Sequence, residues 1–147
     1  MRPAPLTPLR ESAIIVSGCT NPALSSGISG SGLNAIDAGL HPTNHTDFVV
    51  APLDQLFMLH STVNRVSRDG TPVGPDQRVT PLEGLKTMTV WAAEQYGEQA
   101  SKGTLEAGKL ADLVVLDRNP LKVDATALED IRVVETFKEG VSIHRAE

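Results

Sequence analysis

The sequence predicts an α/β fold in which helices come first and a small β unit follows. Two segments carry apolar residues at spacings of three and four, which is the pattern of amphipathic helices. Residues 113–116 are all apolar, and residues 131–145 read as two strand-like runs around a turn. We therefore divide the chain into a loop-rich segment (residues 1–32), a segment with one strand and the helices (33–102), and a β portion (103–147).

The N-terminal third offers the fewest signals. Residues 1–32 are rich in proline, glycine and serine, so we expect mostly loop, with one strand-like run, AIIVSG. Residues 33–39 predict two helical turns, which Gly39 ends. A short strand is expected over residues 40–49.

The first longer helix is expected to have Pro52 in its first turn, where the missing N–H costs nothing. The residues on its predicted buried face are Leu53, Leu56, Phe57, His60 and Val63. On this face His60 is expected to be a hydrogen-bonded core histidine. A loop with two glycines and two prolines follows at residues 68–78.

The second helix has a stronger start signal. Thr80 can cap it, Pro81 suits the first helical position, and Glu83 completes a capping box. Gly97 is the predicted stop. The residues on its predicted buried face are Leu82, Leu85, Met88, Ala92 and Tyr96.

The β portion begins after residue 102. Residues 103–117 predict a short strand, a turn at residues 107–109 and a second, apolar strand. Residues 131–145 predict a hairpin with its turn at residues 138–140. His144, in the returning strand of that hairpin, is expected at the surface.

Composition argues against several classes of function. The net charge is -5, without long runs of either sign, and three Phe, one Tyr and one Trp are too few for a stacking platform, so we expect no nucleic acid. No apolar run approaches the ~20 residues that a bilayer requires, so we expect no membrane partner. The single cysteine, Cys19, cannot form an internal disulfide, and residues 13–16 are too short for the core of a secretory signal. A cytoplasmic location is the expectation.

Residues 43–47 are polar where a central parallel strand is usually apolar. On a strand, Thr43, His45 and Asp47 would share one face, and such a conflict between polarity and expected burial is typical of functional sites. In a barrel, Asp47 would lie at the carboxyl end of the strand, where barrel enzymes place their chemistry. On spacing alone the simpler interpretation is favoured: a strand end merging into a loop, with Asp47 capping a turn and His45 in solvent.

Three stretches of the chain carry a family resemblance. They are HTDFVVAPLDQLFMLHSTVNRVSRDG, GPDQRVTPLEGLKTMTVWAAEQYG and SKGTLEAGKLADLVVLDRNPLKVD. Together, over residues 33–145, they resemble the C-terminal part of metal-dependent amidohydrolases, in the branch related to N-acyl-D-amino-acid deacylases. The most specific piece, KGTLEAGKLADLVVLD, is similar to the point where these enzymes leave the barrel and return to a small β-sandwich.

The resemblance implies a C-terminal fragment of a (β/α)8 barrel followed by a small β-sandwich portion. Asp47 matches the aspartate of the last barrel strand, which in this family binds metal and accepts a proton from the attacking water. His45 is similar to a residue that lines the substrate pocket. The implied cofactor is a divalent metal, usually zinc, and the implied substrate is a small amide-type molecule whose carbon–nitrogen bond is not a peptide bond.

Other parts of the family pattern are not found in this sequence. They are an H-x-H pair, a bridging lysine or glutamate, and further histidines from middle strands. We therefore expect a fragment that is inactive alone. The alternative is a non-catalytic remnant or interaction piece that binds no metal. In either case the uncovered strand edges and helix faces predict association with a complementary chain or with a second copy.

Overall fold

The computed structural model describes residues 13–16, 32–46, 48 and 51–147, and for residues 13–16 and 32 it gives the backbone alone. The elements are α1 (Gly32–Asp37), α2 (Gln55–Asn64), α3 (Pro81–Met88), α4 (Val90–Gln95), β1 (Ala13–Val16), β2 (Leu113–Leu116), β3 (Val133–Lys138) and β4 (Val141–Arg145). Two 3-10 turns lie at Pro75–Gln77 and Ala125–Asp130. The predicted α/β class is confirmed, although β1 precedes the helices and joins the sheet. Among these described ranges, no helix has both the length and the apolar composition that a membrane crossing needs.

The strands form one antiparallel sheet in the order β1-β2-β3-β4. Ala13 of β1 lies opposite Leu116 of β2. The predicted hairpin is confirmed, because β3 and β4 are joined through Glu139 and Gly140, whose φ angles are 51° and 81°. Two positive φ angles in a row are what a two-residue turn between twisted strands requires. β4 is an edge strand and is exposed along its length, which places His144 at the surface as predicted.

One apolar core joins α2 to the sheet. Its buried members are Leu59, Val63, Val79, Leu116, Leu128 and Ile131. They come from α2, the loop before α3, β2 and the end of the second 3-10 turn. The core therefore unites residues that are up to 72 positions apart, from Leu59 to Ile131.

The start of α2 differs from the prediction. Asp54, and not Pro52, defines it, because the Asp54 carboxylate accepts hydrogen bonds from the backbone N–H groups of Leu56 and Phe57 at 2.9 and 3.0 Å. Leu53 consequently lies outside the helix and is 70% exposed, so its predicted burial is wrong. The buried position that the prediction left out is Leu59, which is 0% exposed.

The capping box of α3 is confirmed. The backbone N–H of Thr80 donates to the Glu83 carboxylate at 2.7 Å, and the Glu83 N–H donates to the Thr80 hydroxyl at 3.2 Å. The predicted single helix to residue 96 is broken at Thr89, where φ is -125° and ψ is -96°. The Thr89 hydroxyl donates to the Leu85 carbonyl at 2.8 Å, and such back-bonding competes with the helical ladder. Leu82 is half exposed, at 50%, and its predicted burial is wrong.

Two predicted strands are not found in the described residues. Residues 40–46 pair with no strand there, and residues 103–112 contain none. In the second case residues 101–110 form a loop, which is closed by the hydrogen bond from the Leu110 N–H to the Ser101 carbonyl at 2.9 Å. This loop passes close to α4 at Gly103, where a Cβ would lie 2.8 Å from the Ala93 Cβ. The predicted turn at residues 107–109 is present.

Candidate functional site

Asp47, the predicted catalytic and metal-binding residue, lies outside the described residues, so the site is built from its neighbours. Thr46 is buried at 8% exposure, whereas Phe48 is 64% exposed. The Ala51 N–H donates to the Thr46 carbonyl at 3.2 Å. This hydrogen bond joins the two ends of the short stretch that contains Asp47 and Phe48.

Residues 41–46, here named the approach segment, lead to Asp47 and contact two helices. The Thr43 hydroxyl donates to the Gln95 side-chain carbonyl on α4 at 2.7 Å. The Asn44 side-chain amide donates to the Thr62 hydroxyl on α2, also at 2.7 Å. Thr43 and Asn44 thus contact different helices. This agrees with an extended backbone, in which successive side chains point to opposite sides. These contacts replace the strand pairing that the sequence predicts for this segment.

His41 makes two contacts with α4. Its ring stacks on Trp91 with the centroids 5.0 Å apart and an interplanar angle of 10°. Its Nδ1 lies 2.5 Å from Glu94 Oε2. Trp91 is 6% exposed, and Lys86 Nζ lies 5.7 Å from the centroid of its ring. A buried aromatic ring therefore supports the start of the approach segment.

His45, the predicted substrate-binding residue, is half-buried and takes part in an interaction within the protein. It is not the solvated side chain that the simpler interpretation describes. Its place two residues before Asp47 keeps it in the same stretch of chain. A role in lining a pocket stays a prediction.

Of the described histidines, His60 on α2 makes its contacts away from the approach segment. His60 Nδ1 lies 3.2 Å from the Asn64 side-chain amide, and its Nε2 lies 3.9 Å from Glu129 Oε1. With a side-chain exposure of 17%, His60 is the hydrogen-bonded histidine that was predicted. Within the described part of the chain, no group of three or more His, Cys, Asp or Glu residues could hold a metal ion.

Sequence reasoning did not identify Trp91 and Glu94 as neighbours of the site. Both lie on α4, and Glu94 is 53 residues away from His41 along the chain. Their spacing of three puts them on one helix face, which is a signal available from the sequence. Nothing local, however, indicates that this face meets residues 41–46.

Comparisons with known proteins found one matching family model and several similar proteins. A family model described as "Amidohydrolase family" matches residues 33–144. The chain is 32% identical to an N-substituted formamide deformylase from Arthrobacter pascens. The alignment covers 106 residues, which are 72% of this chain and 20% of the deformylase. It is also 57% identical to an imidazolonepropionase from Pseudomonas paraeruginosa. This shorter alignment covers 37 residues, which are 25% of this chain and 9% of the imidazolonepropionase.

A solved structure shows a similar fold. An amidohydrolase from Thermotoga maritima superposes with a TM-score of 0.54 at 23% sequence identity, over 76% of this chain and 24% of that one. The chain thus spans about a fifth of the length of the deformylase and about a quarter of the solved amidohydrolase.

Proposed function

The chain belongs to the amidohydrolase family, and from this membership we propose that it serves the hydrolysis of carbon–nitrogen bonds other than peptide bonds. The observation that carries the proposal is the family match over residues 33–144, a range that includes Asp47. The deformylase relative is named for its action on N-substituted formamides. We therefore propose a small amide-type molecule as the substrate.

We further propose that residues 33–102 supply the end of a (β/α)8 barrel and residues 103–147 part of a β-sandwich. Support comes from the order of the elements, in which the helices precede the hairpin. The similarity to the Thermotoga maritima amidohydrolase over 76% of this chain also supports it. Residues 40–46 would pair as a barrel strand only beside neighbouring strands, because a strand needs a partner for its backbone N–H and C=O groups.

We propose a divalent metal, with zinc as the first choice. When bound, it would act as a Lewis acid on the substrate carbonyl and lower the pKa of the attacking water. The described residues do not by themselves fit such a metal, since they contain no group of three donors, and zinc needs three or four. We assign to Asp47 one carboxylate ligand and the role of proton acceptor. The remaining ligands would come from residues other than the described ones, and His45 would contact the substrate.

The contacts of the approach segment support a positioned carboxylate at residue 47. The bonds from Thr43 to Gln95 and from Asn44 to Thr62 restrain the chain just before it. The hydrogen bond from the Ala51 N–H to the Thr46 carbonyl links the chain before residue 47 to the chain after it. A group that accepts a proton must be held within hydrogen-bond reach of its donor, so this restraint suits the proposed role.

The test compares the wild type with Asp47→Asn and with the control Asp37→Asn, which makes the same chemical change at an exposed position at the end of α1. Bound metal is measured by mass spectrometry after zinc loading, and hydrolysis is measured on an N-substituted formamide and an N-acyl amino acid. We expect zinc to be bound by the wild type and by Asp37→Asn and to be lost in Asp47→Asn. Because the chain is expected to be inactive alone, hydrolysis by all three isolated proteins should stay at background, and the metal content decides the test. Equal metal content in all three proteins would contradict the role of Asp47.

The second candidate function is a non-catalytic interaction piece that binds no metal. Exposed apolar side chains near residue 47 favour it: Leu40 is 62%, Phe48 64% and Leu53 70% exposed. A partner, either a complementary chain or a second copy, would cover such side chains. Wild-type protein that takes up no zinc would favour this candidate.

A further inference from the structure

The approach segment begins at a residue that is held from two sides. The imidazole of His41 lies parallel to the indole of Trp91, and its Nδ1 lies 2.5 Å from the Glu94 carboxylate. Trp91 and Glu94 are one helical turn apart on α4, so both reach the same side of the helix. Rotation of the His41 ring would break both contacts together.

Trp91 is a fixed support, because it is 6% exposed and packs within the fold. The side chain of His41, in contrast, is 51% exposed, so protons from solvent reach its ring. The described charged groups beside this stack are Glu94, which contacts the His41 ring, and Lys86, whose Nζ lies 5.7 Å from the centroid of Trp91. The pair of contacts thus joins a buried aromatic ring to a histidine that solvent can reach.

We infer that His41 is a positioning residue, whose contacts with Trp91 and Glu94 hold the approach segment on α4 and tighten when the imidazole is protonated. A protonated ring makes a charge-assisted hydrogen bond to the Glu94 carboxylate, which is stronger than the neutral one. It also places a cation on the face of Trp91, and Lys86 on the same indole weakens this second contribution. The consequence for Asp47 rests on the proposed function, whereas the contacts of His41 do not.

The first measurement uses the fluorescence of Trp91, the single tryptophan of the chain. Emission is recorded from about pH 8 to about pH 5, the range in which histidine side chains gain a proton. We expect the wild-type emission to fall towards acid pH, because a protonated imidazole in contact with indole quenches it. The change should be lost in His41→Gln and kept in His144→Gln, which removes an exposed histidine of β4. An unchanged pH response in His41→Gln would overturn the inference.

The second measurement is hydrogen–deuterium exchange of a peptide covering residues 42–51, corrected for the intrinsic pH dependence of exchange. It includes the Ala51 N–H that donates to Thr46. In wild type, protection should be greater at about pH 5 than at about pH 8. In His41→Gln this peptide should exchange roughly two- to fivefold faster at acid pH, the size expected for a partly exposed ion pair.

Two conservative variants separate the two contacts. His41→Phe keeps a ring on Trp91 but cannot bond Glu94, so it should restore part of the protection without any pH dependence. Glu94→Gln keeps an acceptor but loses the negative charge, so it should reduce the pH dependence of the exchange to the part that the stack on Trp91 contributes. A purely structural role would change the exchange equally at both pH values, and that result would overturn the inference.

These readouts use neither metal nor substrate. Failure of the zinc and hydrolysis experiment would therefore leave them unaffected. Conversely, if the emission and exchange of His41→Gln equal those of the wild type, the positioning role fails while the assignment of Asp47 is untouched.

Discussion

Asn44 donates a hydrogen bond to the Thr62 hydroxyl at 2.7 Å, and this hydroxyl donates a hydrogen bond to the Met58 carbonyl at 2.9 Å. The Thr62 hydroxyl keeps its proton and donates it in a hydrogen bond, so it serves as acceptor for the approach segment and as donor to its own helix. The pair is partly buried and 18 residues apart. It ties the stretch before Asp47 to the helix that also forms the apolar core.

The first prediction concerns this pair. Asn44→Ala should lower the free energy of unfolding by about 0.5–1.5 kcal/mol, because a partly buried hydrogen bond is lost. Thr62→Val removes the same bond from the other side. In a double-mutant cycle measured by urea unfolding, the two changes should couple by a similar amount. Strict additivity would show that the contact does not contribute to stability.

The second prediction concerns Leu59 and Gly84, which meet between α2 and α3. A Cβ at residue 84 would lie 2.6 Å from Leu59 Cδ1 and 3.4 Å from Val63 Cγ2. Leu59 is 0% exposed and has little room to move. Gly84→Ala should therefore cost about 1–3 kcal/mol through overpacking, although alanine favours helix.

Leu59→Ala should cost about 2–5 kcal/mol, since it leaves a cavity in the core. In that background the sign of Gly84→Ala should reverse, because the added methyl fills part of the cavity and the helix gains about 1 kcal/mol in propensity. Leu53→Ala, at a 70% exposed position, is the control and should change stability by no more than about 0.5 kcal/mol. A destabilising Gly84→Ala in both backgrounds would contradict the predicted contact.

The third prediction concerns Asp112, which ties the start of β2 to the hairpin. Its carboxylate accepts hydrogen bonds from Lys138 Nζ at 2.9 Å and from the Glu139 N–H at 2.8 Å. Burial by itself would raise the pKa of Asp112, but these hydrogen bonds and the charges of Lys138 and Lys102 outweigh it, so the pKa lies below its ordinary value of 3.8. The ionised form is therefore favoured by folding.

A lowered pKa stabilises the fold above the ordinary pKa, and this stabilisation is lost as the pH falls through the folded value. Asp112→Asn should lower the free energy of unfolding by about 1.5 kcal/mol at neutral pH. The difference between variant and wild type should shrink as urea unfolding is repeated from about pH 5 towards about pH 2. Asp130→Asn, at an exposed carboxylate, is the control. A difference that stays constant with pH would contradict the role of the charge.

Local signals in the sequence predict much of this fold. The capping box of Thr80 and Glu83 is present, and Gly39, at φ 78°, follows the end of α1 as predicted. The glycine after Glu139 allows the hairpin turn. These features depend on residues within about four positions of each other, where backbone sterics and capping decide the outcome.

The errors over residues 40–46 and at the site concern features that depend on distant residues, whereas the error at the start of α2 concerns a local cap. A strand over residues 40–46 needs a neighbouring strand, and in the described chain the side chains bond to α2 and α4 instead. The apolar spacing predicts which face of α2 is buried. The helix begins after Asp54, however, so Leu53 lies outside it and is exposed, and Leu59 is buried instead. At the site, the polar run drew attention to His45 and Asp47, whereas the contact of His41 with Trp91 joins segments 50 residues apart. Such packing cannot be read from local periodicity.

The last prediction is that the purified chain self-associates through the apolar side chains beside residue 47. Phe48 and Leu53 are 64% and 70% exposed, and large exposed apolar groups favour contacts that remove them from water. In gel filtration the chain should elute above its mass of 15.6 kDa, and it should bind a hydrophobic dye. Phe48→Ser combined with Leu53→Ser should reduce both effects. The matched control, Val141→Ser, alters a 65% exposed residue of the edge strand β4 and should leave both unchanged. A compact wild-type monomer without dye binding would contradict self-association altogether. If only Val141→Ser reduced the apparent mass and the dye binding, association would instead take place at the sheet edge, where backbone groups are unpaired.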